Sequence, residues 1–475
     1  MNILFCTSEA YPFVASGGLA DVCGSLPHAI QKNGSQCRVV LPLYSSIAAQ
    51  YREKFTYLTN FTVAVGWRNQ YCGVFQYEHE GVIFYFLDNE YYFKRSGIYG
   101  FYDDGERFAF FARAALEMLN YIDYAPDIIH TNDWQTALVN LYINLYYRHL
   151  PKFYNIKTLF TIHNIQYQGK YGLDMLEDTL GINRKDSYLI EFEGCVNYMK
   201  AAIECADKVN TVSPTYAQEI LDPWFSHGLD SLLRARTYKL NGILNGIDIA
   251  QYNPETDLYL KTNFGVETVK KGKAECRADL LELFDLPKDT DTPVIGMVGR
   301  LVSHKGLDLV RHVAEYMLQE GIKMVMLGSG DYTYESFFSE LAARYPQQFS
   351  IKIGFLPEVA HKIYAGADMF LMPSKSEPCG LAQMVALRYG TVPIVRETGG
   401  LKDTITDSGD GIGNGFTFKS YNAHDMLDAC LRAKAAYTDV QNWETLVKRD
   451  MACNNSWDAR AKEYISLYEN MLALW

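Results

Sequence analysis

The sequence predicts an α/β protein made of two doubly wound, Rossmann-like domains in series. Three observations carry that reading. Short apolar runs rich in β-branched residues recur along the chain, and most end in a polar or glycine-rich turn, which is the pattern of buried parallel strands feeding helices. These runs fall into two sets, separated by NGILNGIDIAQYNPETD, a segment rich in Asn, Gly and Asp. Finally, 475 residues exceed what one hydrophobic core ordinarily serves.

The first set of expected strands is Ile3–Thr7, Cys37–Pro42, Asp127–His130, Leu159–His163 and Val209–Val212. The second begins at Val294–Val298 and continues through Met324–Leu327, Ile351–Ile353, Met369–Met372 and Val392–Val395. A boundary at Asn245 gives an N-terminal domain over 1–244 and a C-terminal domain over 245–455, with the charged stretch 261–288 read as part of the crossing. The two sheets are expected to face each other across a cleft, each presenting strand carboxyl ends, where open α/β sheets hold their ligands. Residues 456–475 carry apolar side chains at helical spacing (Trp457, Ala461, Tyr464, Tyr468, Met471) and read as a helix packing back on the N-terminal domain.

Composition narrows the function. A net charge of -12 argues against a nucleic-acid partner and against an anionic membrane surface, while leaving room for a local basic pocket. MNILFCTSEAYPF lacks a basic leader segment, so no signal peptide is expected, and no transmembrane span is evident. Ten cysteines are scattered without a C-x-x-C pair, which suits reduced thiols in a cytoplasmic protein. The 35 tyrosines allow stacking on sugars, although packing accounts for most such rings.

The residues just past the strands carry the chemistry. In SEAYPFVASGGLADV, Gly17 and Gly18 open a helix whose free N–H groups suit a phosphate, though a tight turn fits as well. VIGMVGRLVSHKGLDLV puts Arg300 at a strand end and Lys305 five residues later, before a helix starting near Leu307. Two such cations can both reach a diphosphate, or form a solvated basic turn, with His304 between them exposed to solvent. Gly354-Phe355 sits at another strand exit and offers either a ring for a nucleobase or a core phenylalanine. In MPSKSEPCGLAQM, Glu377 precedes a helix, where its carboxylate stays ionised and accepts hydrogen bonds from sugar hydroxyls, or caps the helix with Ser376. Thr398-Gly399-Gly400 repeats the glycine turn and its phosphate-cradle logic.

In order, the stretches SGGLADV, RSGIYG, HTNDWQTALV, FTIHNIQYQG, NTVSPTYAQEI, ILNGID, GRLVSHKGLDL, LGSGD, PSKSEPCGLAQM and GTVPIVRETGGLKDT resemble the bacterial glycogen synthases and plant starch synthases, the retaining family 5 glycosyltransferases, over nearly the whole chain. The resemblance implies a GT-B fold with the active site between the domains, ADP-glucose as donor, the non-reducing end of an α-1,4-glucan as acceptor, and neither metal nor cofactor. It implies that Arg300 and Lys305 neutralise the departing diphosphate, that Glu377 holds glucose hydroxyls, and that His163 contacts the glucose. It places Gly17, Gly18, Gly354, Phe355, Cys379, Gly380, Leu381, Thr398, Gly399 and Gly400 on the donor side. Tyr99, Asp133, Asn164 and Asp21 fall on the acceptor or glucosyl side.

One departure matters. The family usually reads K-T-G-G-L where this chain has Ala15-Ser16-Gly17-Gly18-Leu19, so an ammonium group is missing beside the donor phosphates. A UDP-sugar transferase of the same fold is therefore the nearest alternative, and a glucan-binding protein without catalysis the next. A dinucleotide-dependent dehydrogenase ranks last, since no G-x-G-x-x-G follows the first strand. No carboxylate in these motifs is an obvious nucleophile, which favours front-face transfer over a covalent intermediate.

Overall fold

In the computed structural model, which describes residues 1–473, the chain divides into two units: Met1–Gly246 together with the C-terminal helix from Trp457, and Ile247–Ser456. Residues 474 and 475, the end of the expected terminal helix, lie outside the described residues.

In chain order the strands of the first unit are β1 (Asn2–Cys6), β2 (Gln36–Pro42), β3 (Thr56–Val65), β4 (Arg68–His79), β5 (Val82–Asp88), β6 (Ile128–Asn132), β7 (Lys157–Ile162), the short β8 (Lys170–Tyr171), β9 (Glu191–Phe192) and β10 (Cys195–Asn197), then β11 (Lys208–Thr211) and β12 (Leu240–Gly242). The main sheet runs β12-β11-β7-β6-β1-β2-β5-β4-β3, and β8, β10 and β9 pair separately. From β12 to β5 the strands are parallel, as expected where helices cover both faces. β1 lies between β2 and β6, so the chain winds away on one side and returns on the other, leaving a switch point between β1 and β6.

The antiparallel extension β3–β5 is absent from the sequence reading. β3 alternates between faces, with Phe61, Val63 and Val65 buried and Asn60, Thr62 and Ala64 exposed, so no continuous apolar run announces it, whereas β5, VIFYFLD, is such a run that the sequence reading leaves out. The β4–β5 turn, Glu80-Gly81, is left-handed at both residues (φ 48° and 85°), the geometry a two-residue hairpin needs.

The second unit holds β13 (Val294–Val298), β14 (Lys323–Gly328), β15 (Phe349–Ile353), β16 (Met369–Met372), β17 (Val392–Arg396) and β18 (Phe416–Phe418). Its order is β15-β14-β13-β16-β17-β18, all parallel. That is the doubly wound 3-2-1-4-5-6 arrangement, with its switch point between β13 and β16.

The stretch 261–288 is not a crossing, as the sequence reading had it. It contains the helix Val269–Leu283, which packs on the helix Pro357–Gly366 inside the second unit. A Cβ on Gly366 would lie 2.7 Å from the Cys276 carbonyl oxygen, so glycine permits the close approach. The charges that suggested a linker are spent internally: Lys273 Nζ donates to Thr391 Oγ1 (2.7 Å) and the Ala365 carbonyl (3.0 Å), and Arg277 pairs with Asp368 (3.2 Å).

The terminal helix Trp457–Ala473 buries Trp457, Ala461, Tyr464, Tyr468 and Met471, and packs on α1 (Gly18–Lys32). Two of its tyrosines also meet polar atoms beneath the first sheet: Tyr468 OH lies 2.8 Å from His130 Nδ1, and Asn210 Nδ2 donates to Tyr464 OH (3.2 Å).

Candidate functional site

In the second unit a pocket of about 130 Å³ opens at the switch point, lined by Arg300, Lys305, Ser374, Glu377, Gly380 and Leu381 among others. The backbone after β13 is zipped to that after β14. Leu301 N–H donates to the Ser329 carbonyl (2.9 Å) and Asp331 N–H to the Leu301 carbonyl (2.8 Å). A Cβ on Gly328 would sit 1.9 Å from the Gly299 carbonyl oxygen, so only glycine allows the two loops to meet. Arg300 is thereby held at the exposed mouth. A 3₁₀ turn, Ser303–Lys305, then leads through Gly306 (φ 76°) into the helix Leu307–Gln319.

Lys305 Nζ makes a 2.7 Å ion pair with Glu377 Oε2, which also accepts from Ser374 Oγ (2.9 Å). Glu377 is only 7% exposed. Burial alone would raise its pKa, yet the Lys305 charge and the two hydrogen bonds outweigh burial and hold the carboxyl below its ordinary value. Glu377 does not cap the following helix, Ala382–Arg388, whose N-cap is Leu381. His304 is half-buried, not solvent-exposed as its sequence context suggested. Burial, followed by the neighbouring Lys305, lowers its pKa.

The glycines after β17 pack against the loop that bears Glu377. Gly399 has φ 45°, and its missing Cβ would lie 1.9 Å from the Glu377 carbonyl oxygen; that of Gly400 would lie 2.1 Å from the Cys379 carbonyl oxygen. Gly400 N–H donates to the carbonyls of Glu377 and Pro378 (3.2 and 3.1 Å). The pair therefore seats the loop that carries Glu377, Cys379 and Gly380. Past β15, Phe355 is 90% exposed, which removes the core reading of its ring.

In the first unit the strand ends at the switch point bring Asn132, Asp133, His163 and Asn164 together. Asp133, in the left-handed region (φ 56°), accepts from His163 N–H (2.7 Å) and Asn164 N–H (3.3 Å), and His163 Nε2 lies 2.9 Å from Asn132 Oδ1. Burial pushes His163 down to about 3, so its imidazole is neutral at pH 7. Burial pushes Asp133 up to about 7, against the two backbone hydrogen bonds and with help from Glu9.

Past β1, the buried Glu9 receives Ser16 N–H and Oγ and Tyr99 OH. Gly17 and Gly18 are exposed, with no atom within 4 Å of an added Cβ, and Gly17 is the N-cap of α1. Asp21 lies exposed in the first turn of that helix.

Asp133 yields a stability prediction. A carboxyl raised to about 7 in the folded state, against about 3.9 unfolded, destabilises nothing below the unfolded value and costs progressively more as pH rises towards 7. Asp133→Asn keeps an acceptor for both N–H groups and removes that cost. Urea melts should show the variant gaining on the parent between pH 4.5 and 8, by at most about 4 kcal/mol. An unchanged difference at the two pH values would show that Asp133 titrates normally.

The family profile described as "Starch synthase catalytic domain" matches residues 2–235, and that described as "Glycosyl transferases group 1" matches residues 281–444. A glycogen synthase of Clostridium novyi (strain NT) is 48% identical over 100% of both chains, and one of Bacillus cereus (strain B4264) is 48% identical over 99% of this chain and 100% of its own. The chain belongs to the glycogen and starch synthase family of glycosyltransferases. Among solved structures, the catalytic domain of Starch Synthase IV from Arabidopsis thaliana, bound to ADP and acarbose, superposes with a TM-score of 0.91 at 33% identity, covering 99% of each chain. A sucrose-phosphate synthase from Thermosynechococcus elongatus, at 17% identity and a TM-score of 0.62, shares the fold alone.

For this family member, therefore, the structure brings Arg300, Lys305, Glu377, Gly380 and Leu381 to one pocket in the second unit. It gathers Asp133, His163, Asn164 and Tyr99 near the strand ends of the first. Sequence reading missed Ser374, Asn132 and Glu9. Glu9 stands three residues past β1 and Glu377 five past β16, but no local pattern marks Glu9 as buried. No helix among the described residues is long and apolar enough to cross a membrane, and no cluster of three or more His, Cys, Asp or Glu among them could hold a metal ion.

Proposed function

We propose that this glycosyltransferase moves glucose from ADP-glucose to the non-reducing end of an α-1,4-glucan, with retention of configuration and without a metal or cofactor. The observation that carries the reading is the convergence of Arg300, Lys305 and an ionised Glu377 on one pocket at the switch point of a doubly wound sheet, in a chain 48% identical to glycogen synthases over its full length. Arg300 and Lys305 supply positive charge where the diphosphate's leaving oxygen becomes negative. Such preorganised electrostatic stabilisation is usually the largest catalytic contribution. Glu377, kept ionised by Lys305 and Ser374, accepts hydrogen bonds from glucose hydroxyls.

In the front-face reaction the bond from the anomeric carbon to phosphate oxygen breaks as the acceptor hydroxyl oxygen bonds to the same face. The acceptor proton passes to the departing phosphate. His163, neutral at pH 7, positions the sugar by hydrogen bonding rather than by charge. Phe355 stacks on the adenine. Because its ring is 90% exposed, Phe355→Ala should leave stability within about 0.5 kcal/mol. It should raise the KM for donor by the equivalent of about 1–3 kcal/mol, with kcat unchanged. Steady-state kinetics with varied donor check this, and an unaltered KM excludes the stacking role. The ten scattered cysteines, eight of them buried, favour a cytoplasmic location.

The second reading, UDP-glucose as donor, is favoured by Ala15, which stands where the family carries a lysine. Purified protein incubated with glycogen, a chelator and either ADP-glucose or UDP-glucose decides between them. Elongation from ADP-glucose supports the first reading, elongation only from UDP-glucose the second, and transfer from neither leaves a glucan-binding protein.

A further inference from the structure

Three groups of the first unit converge on one buried carboxylate that the proposed chemistry leaves without a task. Glu9 Oε2 accepts Ser16 N–H (2.5 Å), and Oε1 accepts both Ser16 Oγ (2.9 Å) and Tyr99 OH (2.8 Å). Tyr99 OH in turn lies 2.6 Å from Ser8 Oγ; because its own proton goes to Glu9, it accepts from Ser8. Glu9 is 3% exposed, whereas Ser16, Gly17 and Gly18 are all exposed. The backbone at Glu9 is itself pinned, since Thr7 Oγ1 donates to the Glu9 carbonyl (2.8 Å) and Tyr11 N–H donates to the Ala20 carbonyl (3.0 Å) across the loop.

An exposed glycine pair has the largest conformational freedom in a chain, and a helix N-terminus is useful to a ligand only if it is held still. Gly17 has no capping side chain, and an added Cβ at either glycine would meet open space, so packing does not restrain the loop. The restraint comes through Ser16, one residue earlier, which the buried Glu9 carboxylate holds by two hydrogen bonds.

We infer that Glu9 is a positioning residue for the transfer reaction, fixing the Ser16-Gly17-Gly18 loop and the Tyr99 hydroxyl in one geometry. What makes the strap firm is that the two oxygens of one buried side chain take three hydrogen bonds at once, from Ser16 N–H, Ser16 Oγ and Tyr99 OH. Glu9 itself is too deep to touch substrate. Ser16 supplies the second hydrogen bond to the strap through its hydroxyl, a role threonine can also fill. This inference rests on the proposed glucosyl transfer.

Transfer kinetics from ADP-glucose to glycogen, thermal melting, and amide hydrogen exchange of the 13–20 segment should be measured for the parent, Glu9→Gln, Ser16→Ala, Ser16→Thr and the Glu9→Gln/Ser16→Ala double variant. Glu9→Gln is expected to lower kcat about 10- to 100-fold, as a misplaced positioning group does, with exchange of the segment accelerated and melting shifted by only a few degrees. Ser16→Ala should lose part of that activity, Ser16→Thr should recover it, and the double variant should be no worse than Glu9→Gln alone. Parent-like kcat in Glu9→Gln, additive losses in the double variant, or a loss of activity matched by loss of folded protein would overturn the inference. If the parent transfers no glucose, the functional reading fails. Hydrogen exchange then decides the strap alone: unaltered protection in Glu9→Gln rejects it and accelerated exchange supports it.

Discussion

Replacing Lys305 with methionine is expected to lower kcat about 10²- to 10³-fold, the loss typical when one preorganised donor to a developing oxyanion is removed. Methionine keeps most of the length and apolar stem of lysine, so the change is one of charge. Two consequences follow from the 2.7 Å pair with Glu377. The diphosphate loses a counter-charge as it leaves. Glu377, buried at 7% exposure, also loses the partner that keeps its carboxyl below the usual range, so burial now raises its pKa. The sign is therefore definite: the acid limb of the pH–rate profile should move to higher pH in Lys305→Met, because the ionised carboxylate appears only at higher pH. Removing one member of a buried pair destabilises more than removing both. Lys305→Met/Glu377→Gln should consequently melt above Lys305→Met while remaining as inactive. A single variant that keeps more than a tenth of the parental kcat, or a profile that does not move, would show that the pair is structural only.

How far such a site can be read from sequence depends on whether its parts are local. β13 was legible to the residue because a strand buried on both faces is a continuous apolar run, VIGMV, closed by a glycine. β3 and β4 were not, since buried Phe61, Val63 and Val65 alternate with exposed residues and Tyr and Gln interrupt the pattern further, while the apolar run of β5 was passed over. Arg300, Lys305 and Glu377 each stood out as a charged residue past a strand. That Lys305 and Glu377 meet across 72 positions depends on β13 and β16 being neighbours, a fact of topology that no local pattern contains. Glu9 was hidden for a related reason. A buried carboxylate is tolerable only because Ser16 and Tyr99 satisfy it, and Tyr99 is 90 residues away. Likewise Gly399 and Gly400 were visible as glycines, but their close approach to the loop that bears Glu377 was not.

That close approach has a direct experimental consequence at Gly399. An alanine there faces two costs at once. Its φ of 45° lies in the left-handed region, which penalises a Cβ by roughly 1 kcal/mol. The Cβ would also sit 1.9 Å from the Glu377 carbonyl oxygen, a backbone atom that cannot rotate away. The Glu377 loop must therefore shift, taking with it the carboxylate and the ion pair to Lys305. Displacements of this order far from the reacting atoms cost about 10²-fold in rate, and strain plus a broken buried pair should lower stability by roughly 2–4 kcal/mol. Gly399→Ala is thus expected to lose both activity and melting temperature. Gly17→Ala provides the contrast: Gly17 is extended at φ -173°, and its added Cβ would have no atom within 4 Å, so that variant should melt like the parent. Differential scanning calorimetry beside transfer kinetics separates the two positions. Parental melting and kcat in Gly399→Ala would mean that the loop bearing Glu377 can relax around a Cβ, and that the glycine there is not what seats the carboxylate.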